Sequence, residues 1–175
     1  MEVKVKINDS VYQIVRRDSA EFTRLYSDFY TDKEQRFYIM SMGHAHDMSP
    51  VPVYIEIPRI DSASFKQDGQ YFWDKSRVIC VFGNSDGGSY APLKGVDPGS
   101  FRVFKNVFGG KDKDHVYFQN RLLEGLSPAG VRVYSEYENC ANCDGYFKEG
   151  KIVYRGRERI KDTAFVIPER FRFLE

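Results

Sequence analysis

Cysteine is scarce in this chain of 175 residues: there are three, at positions 80, 140 and 143. A small, odd number suits reduced thiols and argues against a disulfide framework. Long apolar runs are missing too. No run of about 18 apolar residues occurs, so no membrane span is expected. The opening Met1-Glu2-Val3-Lys4-Val5-Lys6-Ile7 lacks the apolar core of a signal peptide, and the location these absences predict is the cytoplasm. Neither charge is in excess: 26 Lys and Arg stand against 25 Asp and Glu, a formal net charge of +1. That balance argues against a protein that binds nucleic acid by neutralising phosphates. Catalytic signatures are also lacking. There is no Gly-x-Ser-x-Gly elbow, no closely spaced set of carboxylates as in an EF-hand loop, and no Ser or Cys in a nucleophile setting. The expectation is a chain that is not an enzyme and uses no cofactor.

Aromatic residues are plentiful, at 15%, which suits strand-rich packing. They sit in a repeat, clearest in residues 95–120, GVDPGSFRVFKNVFGGKDKDHVYFQN. Its first half is a cap followed by a residue that packs inward, Asp97-Pro98-Gly99-Ser100-Phe101. An Asp accepts from the free N–H groups of a first helical turn, and Pro fits the first helical position because its missing N–H is not needed there. The half recurs as Asp18-Ser19-Ala20-Glu21-Phe22, Asp61-Ser62-Ala63-Ser64-Phe65, Ser127-Pro128-Ala129-Gly130-Val131 and Asp162-Thr163-Ala164-Phe165-Val166. In the first copy Glu21 has the spacing of a capping box after Asp18. The pattern predicts a one-turn helical cap before each unit.

The second half reads as a hairpin, with a polar turn between aromatic or β-branched runs. Asp112-Lys113-Asp114-His115 leads into Val116-Tyr117-Phe118. Asp32-Lys33-Glu34-Gln35-Arg36 leads into Phe37-Tyr38-Ile39, Asp74-Lys75-Ser76-Arg77 into Val78-Ile79-Cys80, and Phe147-Lys148-Glu149-Gly150-Lys151 into Ile152-Val153-Tyr154. The Asp residues are expected as turn formers. Units this small need neighbours to bury their apolar faces.

The run Lys111-Asp112-Lys113-Asp114-His115-Val116-Tyr117-Phe118, followed by Leu126-Ser127-Pro128-Ala129, resembles the DKNYY family. The resemblance extends from about residue 18 to the end. The last hairpin departs from it, with Phe147 where the Asp of the Asp-Lys pair would stand. The family looks like a bacterial repeat of undefined activity, and the resemblance implies no catalytic residues.

The resulting expectation is a mainly β, β-rich α+β fold. It consists of about four β-hairpin repeat units, each after a short helical cap, in a curved antiparallel sheet or solenoid-like single domain. The units are 18–60, 61–96, 97–126 and 127–175, with an N-terminal hairpin at 1–17, all in one domain 1–175. One globular α+β unit is the alternative, and residues 18–30 read equally as a short helix or as a capped turn and a strand. Units one and two carry insertions between hairpin and next cap, the first around residues 40–58 and the second a Gly- and Ser-rich loop at 83–90 that is flexible by composition. A third insertion, at 135–144, lies inside the last unit. Insertions in repeats often form a binding face.

Two site readings follow. In the first the chain is a non-catalytic protein-binding domain, concretely a bacterial immunity protein that neutralises a cognate protein toxin, with no nucleic acid or membrane partner. Its candidate contacts are Tyr90, Glu136, Tyr137, Glu138 and Asp144, aromatic and acidic residues of the insertions. In the second, Cys140 and Cys143 form half of a zinc or redox site, completed by His44 and His46, whose spacing of two residues would suit one face of a strand. A lone Cys-x-x-Cys without a second pair is weak for zinc, and a redox motif wants a βαβ context that this chain lacks. The arginines of Arg155-Gly156-Arg157-Glu158-Arg159 are candidates for gripping an acidic partner or RNA, or simply guard a hairpin edge. His115 and the lone Trp73 are expected to be structural.

Overall fold

The computed structural model describes residues 2–6, 12–16, 21–26, 28–44, 49–57, 59–84, 87–136, 144–162 and 164–174. The strands, in chain order, are β1 (Glu2–Lys6), β2 (Tyr12–Arg16), β3 (Phe22–Tyr26), β4 (Phe29–Asp32), β5 (Phe37–His44), β6 (Pro50–Ile57), β7 (Lys66–Asp68), β8 (Tyr71–Trp73), β9 (Val78–Asn84) and β10 (Gly87–Pro92). They continue as β11 (Arg102–Val103), β12 (Gly109–Lys111), β13 (Val116–Phe118), β14 (Arg121–Leu122), β15 (Arg132–Ser135), β16 (Tyr146–Glu149), β17 (Ile152–Arg155), β18 (Glu158–Arg159) and β19 (Arg172–Phe173). The fold is mainly β, with several largely antiparallel sheets, none of them closed among the described residues. No helix among the described residues is long and apolar enough to cross a membrane. Two compact units divide the chain, 1–66 with 81–91, and 67–80 with 92–175.

In the first unit the alternating sequence of β1 pairs antiparallel with β2 and parallel with β6. β6 runs along the whole of β5, from Phe37↔Ile57 to His44↔Pro50. The other edge of β5 carries β4 near its start and β10 at Ser41↔Gly87. The first residues of β5, Phe37 to Ile39, are buried on both faces. On one, Phe37 packs 4.4 Å from the Phe65 ring and 5.8 Å from Phe29. On the other, Tyr38 and Tyr54 meet Phe22 at 5.0 and 4.8 Å. The segment 18–30, open between helix and strand in the sequence, contributes β3. The Gly- and Ser-rich stretch 83–90 is not a flexible loop throughout: its two ends belong to β9 and β10. A Cβ on Gly88 would come within 2.6 Å of the Ile39 side chain, so glycine here permits close packing.

The second unit repeats one hairpin pattern. β12 pairs with β11 and β13, and β13 with β14. β16 pairs with β15 and β17, with β18 beyond β17 and β19 beyond β15. β8 pairs with the first half of β9, Tyr71↔Cys80 to Trp73↔Val78. After each hairpin one N–H closes back onto the same strand position: Leu93 to Val78, Leu123 to Val116 and Ile160 to Val153, at 2.8 to 2.9 Å. The core between the repeats is aromatic. Tyr71 meets Phe101 at 5.3 Å and Phe108 at 5.7 Å, and Phe118 meets Phe147 at 5.9 Å. Each such ring contributes about 2–3 kcal/mol on burial.

Among the described residues the expected helical caps are not seen. At Asp61 there is a single 3-10 turn, Ser62–Ser64, and Phe65 is already extended. At Asp97 the turn closes with one bond from Ser100 N–H to the Asp97 carbonyl (3.3 Å), and β11 begins two residues later. The Asp side chains still serve the turns: Asp61 accepts from Ala63 N–H (3.2 Å), Asp97 from Gly99 N–H (3.1 Å) and Asp162 from Ala164 N–H (2.9 Å). A helix needs successive N–H(i)→O=C(i−4) bonds, and the inward-packing residue pulls the chain into a strand before they accumulate. The capping box at Asp18 lies outside the described residues.

Candidate functional site

The Asp of each Asp-Lys turn is buried and accepts hydrogen bonds from its own turn. Asp32 Oδ1 accepts the N–H of Glu34 and Arg36, and its Oδ2 accepts Arg36 Nε at 2.8 Å and the Tyr38 hydroxyl at 2.9 Å. Asp74 Oδ1 accepts the N–H of Ser76 and Arg77 and the Ser76 hydroxyl. Asp112 Oδ1 accepts from Asp114 and His115 N–H, while Oδ2 accepts the Asp97 N–H at 2.8 Å and the Tyr117 hydroxyl at 3.4 Å. Burial alone would raise the carboxyls of Asp32 and Asp112. The hydrogen bonds, with Arg36 at Asp32 and His115 at Asp112, outweigh it and hold both below the ordinary carboxylate value. These are structural staples, and they leave little of the acceptor capacity a general base needs.

The fourth hairpin also has its carboxylate, contrary to the sequence expectation. Glu149 accepts from Ser127 N–H at 2.5 Å and the Ser127 hydroxyl at 2.7 Å. It stands four residues before Val153, as Asp74 and Asp112 stand before Val78 and Val116. Phe147 is core, fully buried two residues earlier. Counting back from the valine is the signal that finds Glu149.

One surface feature combines an insertion with the arginine hairpin. The turn after β17 needs a left-handed residue, supplied by Gly156 with φ +54°. Gly156 N–H donates to the Gly145 carbonyl at 2.9 Å. A Cβ there would lie 3.2 Å from Asp144 Oδ1 and 3.3 Å from the Phe118 ring. The end of the third insertion is thereby held against the arginine turn. Between them opens a cleft of about 420 Å³ lined by Phe118, Gln119, Asp144, Arg155, Gly156, Arg157 and Glu158. Gln119, itself left-handed at φ +54°, is locked by its N–H to the Phe108 carbonyl and by its own carbonyl accepting from the Tyr71 hydroxyl at 2.9 Å. The four charged residues of the rim are exposed, and among the described residues none of them forms an ion pair or side-chain hydrogen bond. β18 is the edge strand of its sheet. A rigid floor with two guanidinium and two carboxylate groups free to pair suits polar recognition.

Of the sequence candidates, Asp144 lies in this cleft. Glu136 pairs with Arg170 at 3.3 Å. Tyr90 is half-buried in β10 of the first unit. Tyr137, Glu138, Cys140, Cys143 and His46 lie outside the described residues, and His44 ends β5 with its side chain likewise outside the description. Among the described residues no group of three or more His, Cys, Asp or Glu could hold a metal ion. Cys80 is buried, and burial pushes its thiol up, away from thiolate chemistry. His115 sits with Nδ1 3.6 Å from Asp112 in the hairpin turn, and Trp73 packs edge-on to Phe101 at 5.6 Å.

No curated protein and no solved structure matches the chain. The DKNYY family pattern matches residues 81–173, just over half of the chain and almost all of the hairpin units that carry the cleft. With that match and the repeated carboxylate-stapled turns, this chain belongs to the DKNYY family.

Proposed function

We propose that the chain is a non-catalytic protein-binding domain that acts as a bacterial immunity protein, covering and neutralising a cognate protein toxin. The observation that carries the binding reading is the cleft of Asp144, Arg155, Arg157 and Glu158: four exposed charges, none paired among the described residues, on a floor fixed by backbone hydrogen bonds. Exposed charges of both signs on a rigid base steer and register a partner. The buried carboxylates support the non-catalytic part, since Asp32, Asp74 and Asp112 hold backbone N–H groups. The immunity role rests on analogy with small, near-neutral, aromatic-rich binding repeats that bear insertions.

The test is co-expression with the protein toxin encoded beside this chain. Protection by the wild type, and its loss in an Arg155→Glu/Arg157→Glu variant that still folds, is the expected result. Toxicity undiminished by the wild type overturns the immunity role.

A further inference from the structure

A second cleft, of about 380 Å³, lies over the β15–β16 pair and is lined by Gly130, Arg132, Tyr134, Lys148, Glu149 and Gly150. The strand register sets Arg132 opposite Lys148. Like charges directly opposite each other on one face of an antiparallel pair destabilise it. Neither has an ion pair or side-chain hydrogen bond among the described residues. The one acid in the cleft, Glu149, accepts from the N–H and hydroxyl of Ser127 and, among the described residues, forms no ion pair or hydrogen bond with either cation.

The preceding repeat shows how such a pair is relieved internally. There Arg102 stands opposite Lys111 in the same register. Lys111 Nζ donates to the Pro128 carbonyl at 3.1 Å and lies 5.6 Å from the centre of the Phe104 ring. Arg102 donates to the Phe101 carbonyl at 2.6 Å. In the last repeat Tyr134 occupies the place of Phe104, and neither cation has a hydrogen-bond acceptor among the described residues.

We propose that this cleft is an oxyanion site, in which one carboxylate or phosphate group bridges Arg132 and Lys148. A planar guanidinium beside an ammonium supplies the fork and the point charge that such a group needs. The oxyanion is either a free anion or an acidic side chain of a protein. The site is separate from the Asp144 cleft and does not depend on the binding role proposed there.

The test is an NMR titration of the intact chain with inorganic phosphate, then with a glutamate-rich peptide, against chloride at equal ionic strength. Saturable shifts at the amides of Arg132, Tyr134, Lys148 and Gly150 are expected. They should be lost in Arg132→Gln/Lys148→Gln and kept in Arg102→Gln/Lys111→Gln, whose charges are already satisfied. At least tenfold tighter binding of the peptide assigns the site to a protein carboxylate; the reverse order assigns it to a free anion. Thermal stability provides a second readout, because an anion that binds only the folded state raises the midpoint with concentration. Shifts no larger than with chloride, or equal shifts in both double variants, overturn the proposal.

Discussion

The backbone N–H of Asp97 donates at 2.8 Å to the carboxylate of Asp112, 15 residues further along the chain. That bond ties the turn opening one unit to the hairpin turn closing it. The same link joins Ser127 to Glu149 across 22 residues. The second link is seven residues longer, and the added length falls between β15 and β16, where the third insertion lies, so the staple tolerates insertion without being lost. The arrangement explains why a surface turn contains a carboxylate that is almost completely buried.

Removing the staple should therefore weaken the second unit sharply. Asp112→Ala leaves the N–H groups of Asp97, Asp114 and His115 without their acceptor. We expect a loss of about 3 kcal/mol, since an unsatisfied buried donor costs ~1–3 kcal/mol. Asp114→Ala, at an exposed position in the same turn, should stay within about 0.5 kcal/mol. Urea denaturation of both variants checks this, and equal effects would contradict it.

The reassignment of the last turn gives a second contrast. Phe147→Ala should cost about 3–5 kcal/mol, because it empties a fully buried aromatic site. Phe147→Asp, which would restore the motif by sequence, should prevent folding altogether. Glu149→Asp should keep the fold and weaken only the tie to Ser127, visible as faster hydrogen exchange at the Ser127 amide. A stable Phe147→Asp variant would refute the assignment of Glu149.

Gly110 should resist substitution although its φ is ordinary. A Cβ at this position would lie 2.6 Å from the Phe101 ring and 2.9 Å from the Arg102 carbonyl. Gly110→Ala is expected to cost about 1–3 kcal/mol through overpacking, whereas a Cβ on Gly95 meets nothing within 4 Å. The positive φ of Gly95 (+69°) makes Asn a gentler probe than Ala there. Differential scanning calorimetry of the Gly110→Ala and Gly95→Asn variants separates crowding from backbone conformation.

Stability should also fall in acid. Asp32 and Asp112 have folded pKa values below the unfolded value of about 3.9. Their contribution is fully present above that value and is lost as pH falls through the lower, folded values. Unfolding free energy from this source is then level from about pH 5 upward and drops below about pH 4. The Asp112→Ala variant should show a shallower acid limb in a pH series of denaturation curves. An acid limb as steep as that of the wild type would contradict the assignment.

Much of the fold could be read from the sequence, because period-two alternation and polar turns report strands directly. The family resemblance and the turn-forming Asp residues were also legible there. Three features were not. The caps carry helix-starting residues, yet Phe65 and Phe101 must reach the core at once, and that tertiary demand ends the turn before a helix can form. The Gly-rich stretch at 83–90 has the composition of a flexible loop, and only the proximity of Ile39 to Gly88 distinguishes a close-packed strand. In the last hairpin, aligning Lys148 with Lys113 hid Glu149; the strand register shows that Lys148 corresponds to Lys111. For the site, Asp144 was visible as part of a polar insertion, but its meeting with Arg155 and Arg157 depends on the Gly156 turn and on backbone pairing far apart in sequence.

In the binding role proposed above, the partner protein docks on the Asp144–Arg155–Arg157 cleft. The most direct measurement is quantitative affinity capture from the native cell, with wild type and Arg155→Glu/Arg157→Glu as paired baits at equal amounts. One toxin-like protein recovered near one-to-one with the wild type and lost with the variant is the expected result, while both baits give the same circular dichroism. Recovery of no partner, or of the same partner in equal amount on both baits, would contradict it.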